Sequence, residues 1–174
     1  MSKLYVIGTP IGNLEDISLR AIRILKEVDI ILCEDTRVTK RLLERYEITD
    51  KQLATHNERK SGISIEKIAR ILEGGKNIAL VSDAGTPTIS DPGVLLVNEA
   101  RHRGIEIIAI PGANAAITAL SMSGFSASEF LFLGFLPHKK GRETLFKEIL
   151  ASKRTVVFYE SPHRIMKALT SLKK

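Results

Sequence analysis

Short apolar runs alternate with stretches of helical periodicity along this chain, and each run closes on a loop rich in glycine, proline or acidic residues. Residues 3–8, 29–33, 52–55, 77–81 and 105–110 read as strands of four to six residues. Helical patterns follow them: one opened by Asp16-Ile17-Ser18, then 38–46, 63–72 closed by Gly74-Gly75, and 94–103 ended by Gly104. Strands and helices of these lengths in strict alternation predict βαβ units, and therefore a mostly parallel sheet flanked by helices. Pro111-Gly112 interrupts the pattern. The expected organisation is an N-terminal α/β domain over 1–111 and a second α/β domain over 112–174. The second opens with the small-residue helix 113–122 and holds two further strands, 129–135 and 154–160, with helices 143–151 and 163–172. Two strands rarely stand alone, so this second domain reads as partial.

In a parallel sheet the carboxyl ends of the strands share one side, where ligands bind. The loop 82–93, Ser-Asp-Ala-Gly-Thr-Pro-Thr-Ile-Ser-Asp-Pro-Gly, is the most informative of those expected there. A βα link needs only about 2–6 residues, and this one has twelve. It could be an elaborate turn, with Ser90 or Asp91 as N-cap and Pro92 at the first helical position. That leaves the segment 83–87 without a purpose, and a binding loop is the stronger reading. The companion loops are 8–13, 34–37, 111–114 and 160–164. Glu34-Asp35-Thr36-Arg37 also reads as a helix cap favoured by the dipole, and residues 160–164 as a strand end plus a cap. His56-Asn57-Glu58 reads as a solvated loop.

Several signatures are absent: no strand is followed by G-x-G-x-x-G, and neither G-K-[ST] nor G-x-S-x-G occurs. Four scattered histidines and one cysteine offer no metal-ligand spacing. Cys33, inside an apolar run, is expected to be a small buried hydrophobe. The longest apolar runs are too short for the roughly 20 residues of a membrane span, and Met1-Ser2-Lys3 leads straight into a strand, so neither membrane insertion nor a secretory leader is expected and the cytoplasm is the natural compartment. The net charge is +6. Residues 138–174 hold ten Lys/Arg against three Glu, a surplus of seven, so residues 1–137 carry −1. That basic segment suits either a solubilising surface or a polyanion such as RNA.

Six motifs in order resemble a known pattern: 8–14 (Gly-Thr-Pro-Ile-Gly-Asn-Leu), 34–37, 82–93, 111–113, 134–137 (Gly-Phe-Leu-Pro) and 159–164. The chain is identified on them as similar to the ribosomal RNA small-subunit methyltransferase I family of the tetrapyrrole methylase superfamily. The resemblance implies S-adenosylmethionine-dependent methylation of the ribose 2′-hydroxyl of a cytidine in small-subunit (16S) ribosomal RNA. It also implies the 30S subunit as partner, a homodimer, no metal, and a cofactor folded into a cleft between two α/β domains. Carried over by motif, Pro10, Asp83, Ala84, Gly85, Ile89 and Ala113 lie nearest the cofactor, with Phe135, Leu136 and Pro137 on its other side. Glu34, Asp35 and Glu160 are the candidates to accept the hydroxyl proton, and Arg37 joins them in the catalytic set. Lys139, Lys140, Arg142 and Arg164 are expected to face RNA. Members of the family run about a hundred residues longer, so the second domain is expected to be truncated. The alternatives are a methylase of a tetrapyrrole or corrinoid precursor, and a non-catalytic cofactor-binding fragment.

Overall fold

The computed structural model describes residues 2–56 and 62–173. The chain divides into two compact units, Met1–Asn114 and Ala115–Lys174.

The first unit is a five-stranded parallel sheet in the order β3-β2-β4-β1-β5, built from β1 (Lys3–Ile7), β2 (Ile30–Cys33), β3 (Gln52–Thr55), β4 (Ile78–Val81) and β5 (Glu106–Ile110). The two strands with unbroken burial, β2 and β4, explain their unbroken apolar sequences: both faces of the sheet are covered. Alternate side chains go to opposite sides. Ile31, Cys33, Ala79 and Val81 meet α1 (Leu19–Glu27) and α2 (Thr36–Arg45). Ile30, Leu32, Ile78 and Leu80 meet α3 (Ile65–Glu73) and α4 (Val94–His102). Cys33 is fully buried, as its apolar run predicts.

Strand order, which the sequence left open, positions the site. β1 and β4 are neighbours, yet the chain leaves β1 towards α1 on one face and β4 towards α4 on the other. Adjacent strands whose connections part to opposite faces open a crevice between their carboxyl ends. The loops 8–13 and 82–93 both start there.

The expected capping of α4 does not hold. Gly93, not Ser90 or Asp91, is its N-cap, and Pro92 lies outside the helix. Thr88 (φ 75°) and Ser90 (φ 66°) are held in the left-handed region, which non-glycine residues avoid. Gly93 (φ 128°) fits so tightly under this turn that a Cβ there would stand 2.7 Å from Leu80 Cδ2. The loop is therefore a shaped structure held at some conformational cost, rather than a simple cap.

The second unit carries β6 (Phe130–Phe135) and β7 (Thr155–Tyr159), a parallel pair joined through α6 (Arg142–Ala151), with α5 (Ala115–Met122) and α7 (Ile165–Leu172). Its fully formed core is small: Leu136, Phe146 and Ala168, with Leu145, Ile149, Phe158 and Leu172 packed around them. Among the described residues its sheet has those two strands alone.

Candidate active site

Within the first unit the strand-end loops interlock through their backbones. Thr9 and Gly85 form an antiparallel bridge, with Thr9 N–H donating to Gly85 O (2.9 Å) and Gly85 N–H to Thr9 O (3.1 Å). The buried Thr9 hydroxyl donates to Ser82 O at 3.0 Å, tying the same loops a second time. Gly8 and Gly112 meet backbone to backbone: a Cβ on either would stand 2.7 Å from the other's Cα. Only glycine allows that approach, so the loops after β1 and β5 touch where side chains elsewhere would hold them apart. Thr86 Oγ1 donates to Ala113 O at 3.2 Å and completes the lacing.

A cavity of about 520 Å³ opens beside these loops, lined by Thr9, Pro10, Ile11 and Gly12, by Ser82, Asp83 and Ala84, and by Leu14 and the α2 residues Val38, Thr39, Arg41 and Leu42. Its size suits a small organic ligand. Of the residues expected near a cofactor, Pro10, Asp83 and Ala84 stand on its wall, and Gly85 and Ala113 sit in the laced backbone behind it. Ile89, 41% exposed on the strained turn, is not on that wall.

The carboxylates at the ends of β2 and β4 divide into two kinds. Asp35 caps α2 by accepting Arg37 N–H at 2.8 Å and takes the Arg37 guanidinium on both oxygens. The Arg37 hydrogen bonds hold its pKa at about 2. Glu34, Asp83 and Asp91 behave oppositely. Burial pushes the Glu34 pKa up, and the negative charges of Asp91 and Asp83 add to it. Burial also raises Asp83 and Asp91, against hydrogen bonds from the Asp35 amide (3.0 Å) and from Ser82 respectively. The result is a local surplus of negative charge over backbone that already binds itself. Among the described residues no group of His, Cys, Asp or Glu is arranged to hold a metal ion.

Among the residues expected from the second unit, Glu160, Arg142 and Arg164 are bound to one another and Leu136 is buried. Glu160 is turned inward with its side chain 1% exposed, paired with Arg142 Nη1 at 3.0 Å and with Arg164 Nη2, and it accepts Ser161 N–H at 2.9 Å. Burial alone would raise its pKa, but the Ser161 amide and the two guanidinium groups bring it below the usual carboxylate value. A carboxylate so occupied is a structural anchor and a poor proton acceptor. Arg142 and Arg164, 11% and 23% exposed, are committed to it and do not present themselves to a polyanion. Arg142 is also the first residue of α6, not part of a loop, and donates to Pro137 O at 2.9 Å. Leu136 is 1% exposed in the core, so its side chain cannot line a ligand, whereas Phe135 is 55% exposed. Lys139 and Lys140 lie exposed in the turn before α6. His56 is buried, and the rest of the 56–59 loop lies outside the described residues.

Val38, Thr39, Arg41 and Leu42 are site residues that no sequence motif singles out, and Thr9 and Asp91 belong to expected loops without an expected role of their own at the site. Val38 and Leu42 had a signal, being apolar neighbours four apart on the helix that starts at the Glu34–Arg37 motif. Nothing local in the sequence brings Asp91 to Glu34.

The model of the tetrapyrrole (corrin/porphyrin) methylases matches residues 3–174. The chain belongs to this methylase family. Within it, the chain falls among the ribosomal RNA small subunit methyltransferase I proteins. It is 49% identical over 172 residues to the protein of that name from Thermotoga maritima, covering 99% of this chain and 77% of the relative. It is 51% identical over 170 residues to the one from Halalkalibacterium halodurans, covering 97% of this chain and 58% of that relative. The chain thus spans less than two thirds of the second methylase's length and about three quarters of the first's. Solved structures share the fold: a cobalt precorrin-4 methyltransferase (TM-score 0.69, 17% identity, covering 98% of this chain and 74% of that one) and a diphthine synthase (TM-score 0.72, 17% identity, 98% and 70%).

Proposed function

We propose that this methylase transfers a methyl group from S-adenosylmethionine to the ribose 2′-hydroxyl of a cytidine in small-subunit ribosomal RNA. The observation that carries the reading is the surplus of carboxylate charge at Glu34, Asp83 and Asp91 over a glycine-shaped backbone cradle, in a chain whose relatives are named for that RNA. The donor fits it. S-adenosylmethionine carries a sulfonium and an ammonium against one carboxylate, so a site with unpaired negative charge attracts it, while the Thr9–Gly85 and Gly8–Gly112 contacts shape a backbone surface for its polar groups. When bound, it supplies an electrophilic methyl group that needs no metal.

The chain's own residues then have two tasks. Loops 8–13 and 82–93 hold donor and acceptor in line, which provides much of the rate. A ribose hydroxyl is a weak nucleophile, and Glu34 is the base that takes its proton as the new bond forms, because burial and like charges raise its proton affinity where Arg37 suppresses that of Asp35.

Incubating the protein with tritiated S-adenosylmethionine and unmethylated 30S particles tests the reaction. Label on cytidine ribose supports it, and label entering only a corrinoid precursor overturns it. Asp83→Ala should weaken S-adenosylhomocysteine binding about tenfold by calorimetry, the loss expected of one charged contact. Unchanged affinity would remove the donor from this crevice.

A further inference from the structure

The cavity's second wall differs in chemistry from the first. Leu14 (40% exposed), Val38 (39% exposed) and Leu42 make an apolar surface, and Tyr46 donates its hydroxyl proton to Leu14 O, fixing that surface to α2. At its edge stands Arg41. The neighbouring cations of α2 are engaged: Arg37 with Asp35, Lys40 with Glu44, and Arg45 over the Tyr46 ring. Among the described residues Arg41 makes no ion pair or hydrogen bond, and it is exposed on the cavity rim. The cavity is therefore polar in a directional sense, with Asp83 at one end and an uncommitted guanidinium at the other. The α2 N-cap, Asp35, whose amide donates to Asp83, is six residues before Arg41, about 9 Å along the helix.

We propose that this wall is the acceptor-nucleotide subsite: a single-stranded RNA residue lies with its ribose towards Asp83, its base against Leu14, Val38 and Leu42, and its phosphate on Arg41. This rests on the RNA-methylation reading above. The charge pattern matches that ligand at both ends. Ribose hydroxyls donate to carboxylates, a guanidinium takes a phosphate on two of its donors, and an apolar surface accepts a base face regardless of its identity. The donor, with a net positive charge, offers Arg41 a single carboxylate, whereas a nucleotide brings a phosphate that matches the guanidinium fork. Nucleotide recognition thereby moves into the first unit, away from the carboxyl-terminal basic segment in which Arg142 and Arg164 are already occupied.

The test compares wild type, Arg41→Ala and Arg41→Lys on unmethylated 30S particles, with kcat, KM for the particle and the salt dependence of KM, beside calorimetry with S-adenosylhomocysteine. The expected result for Arg41→Ala is a KM raised about tenfold and a salt slope reduced by about one, with S-adenosylhomocysteine affinity unchanged and substantial recovery in Arg41→Lys. Alanine on an exposed helical position preserves the fold. An unaltered KM and salt slope would overturn the subsite, as would weakened S-adenosylhomocysteine binding with KM for the particle unchanged, which would give Arg41 to the donor. A wild-type protein that labels no RNA would instead refute the RNA reading itself, and the subsite with it.

Discussion

Glu160→Gln should destabilise the second unit far more than an ordinary surface substitution. Wild-type Glu160 serves three donors at once: the Ser161 amide at 2.9 Å, Arg142 at 3.0 Å, and Arg164. Glutamine keeps the shape and one acceptor oxygen but removes the charge, leaving two guanidinium groups that cannot lose their protons. Their side chains are 11% and 23% exposed in the wild type, and the substitution removes the counter-ion they share. Breaking a buried pair in this way costs about 3–5 kcal/mol. In a unit of this size each kcal/mol lowers the melting temperature by about 4–8 °C, so the unit's own transition should fall by about 12 °C or more. Hydrogen exchange followed by mass spectrometry is the suitable assay. Amides in β7 and α7 should lose about two to three and a half decades of protection, since every 1.4 kcal/mol is tenfold, while those of β2 and β4 stay as they were. The pH response has a definite sign. Glu160 is held below its ordinary value in the folded state, so its contribution is complete above the unfolded carboxylate pKa of about 4.3 and disappears as pH falls through the folded value. The variant should lose that acid sensitivity. Unchanged protection and an unchanged acid limb in Glu160→Gln would show that the pair contributes nothing and refute the reasoning. Replacing all three charged residues by Met should restore much of the stability, because no charge is then left buried.

Two further outcomes follow from the site. Gly112→Ala places a Cβ 2.7 Å from Gly8 Cα and O, backbone atoms that cannot rotate aside; a loss of about 1–3 kcal/mol and weakened S-adenosylhomocysteine binding are expected, read by chemical denaturation and calorimetry. Glu34→Gln should lower kcat by about 10²–10⁴ while raising the melting temperature at neutral pH. The sign follows from a folded pKa raised by burial and by Asp91 and Asp83: the stability associated with Glu34 is greatest when it is protonated and falls as pH rises through that value. A melting temperature that drops on this substitution would mean that the hydrogen bond from the Asp83 backbone to the carboxylate outweighs burial and like charge, and would overturn the sign.

Much of the first unit was legible because its elements obey local rules. The uninterrupted apolar runs of β2 and β4 announced burial on both faces, and Ser18 and Ser64 stand as N-caps where α1 and α3 start. The strand order was not legible, since no local preference distinguishes a β1 beside β4 from a β1 beside β2. For the same reason the loops after β1 and β4 could be expected to converge, but not to bridge at Thr9 and Gly85. The cap of α4 departs from expectation on a different ground: Ser90 and Asp91 have the chemistry of caps, but the loop turns through Ser90 at positive φ and the helix starts only at Val94, after Gly93.

The inward turn of Glu160 had a signal that charge composition concealed. Along β7, side chains alternate, so Val156, Phe158 and the position after Tyr159 share one face. Phe158 on that face packs against Leu136, Phe146 and Ala168. Carrying the period one step past the strand puts the Glu160 carboxylate over the same core, where it cannot remain without cations. Arg164 lies four residues on, and Arg142 opens the helix that supplies Phe146, with its guanidinium 4.9 Å from that ring. Charge composition alone makes the three a basic or catalytic surface; the strand face that carries Glu160 makes them a buried cluster. Period two is as binding on a terminal glutamate as on a valine, and it makes the triad part of the second unit's small core rather than of its ligand surface.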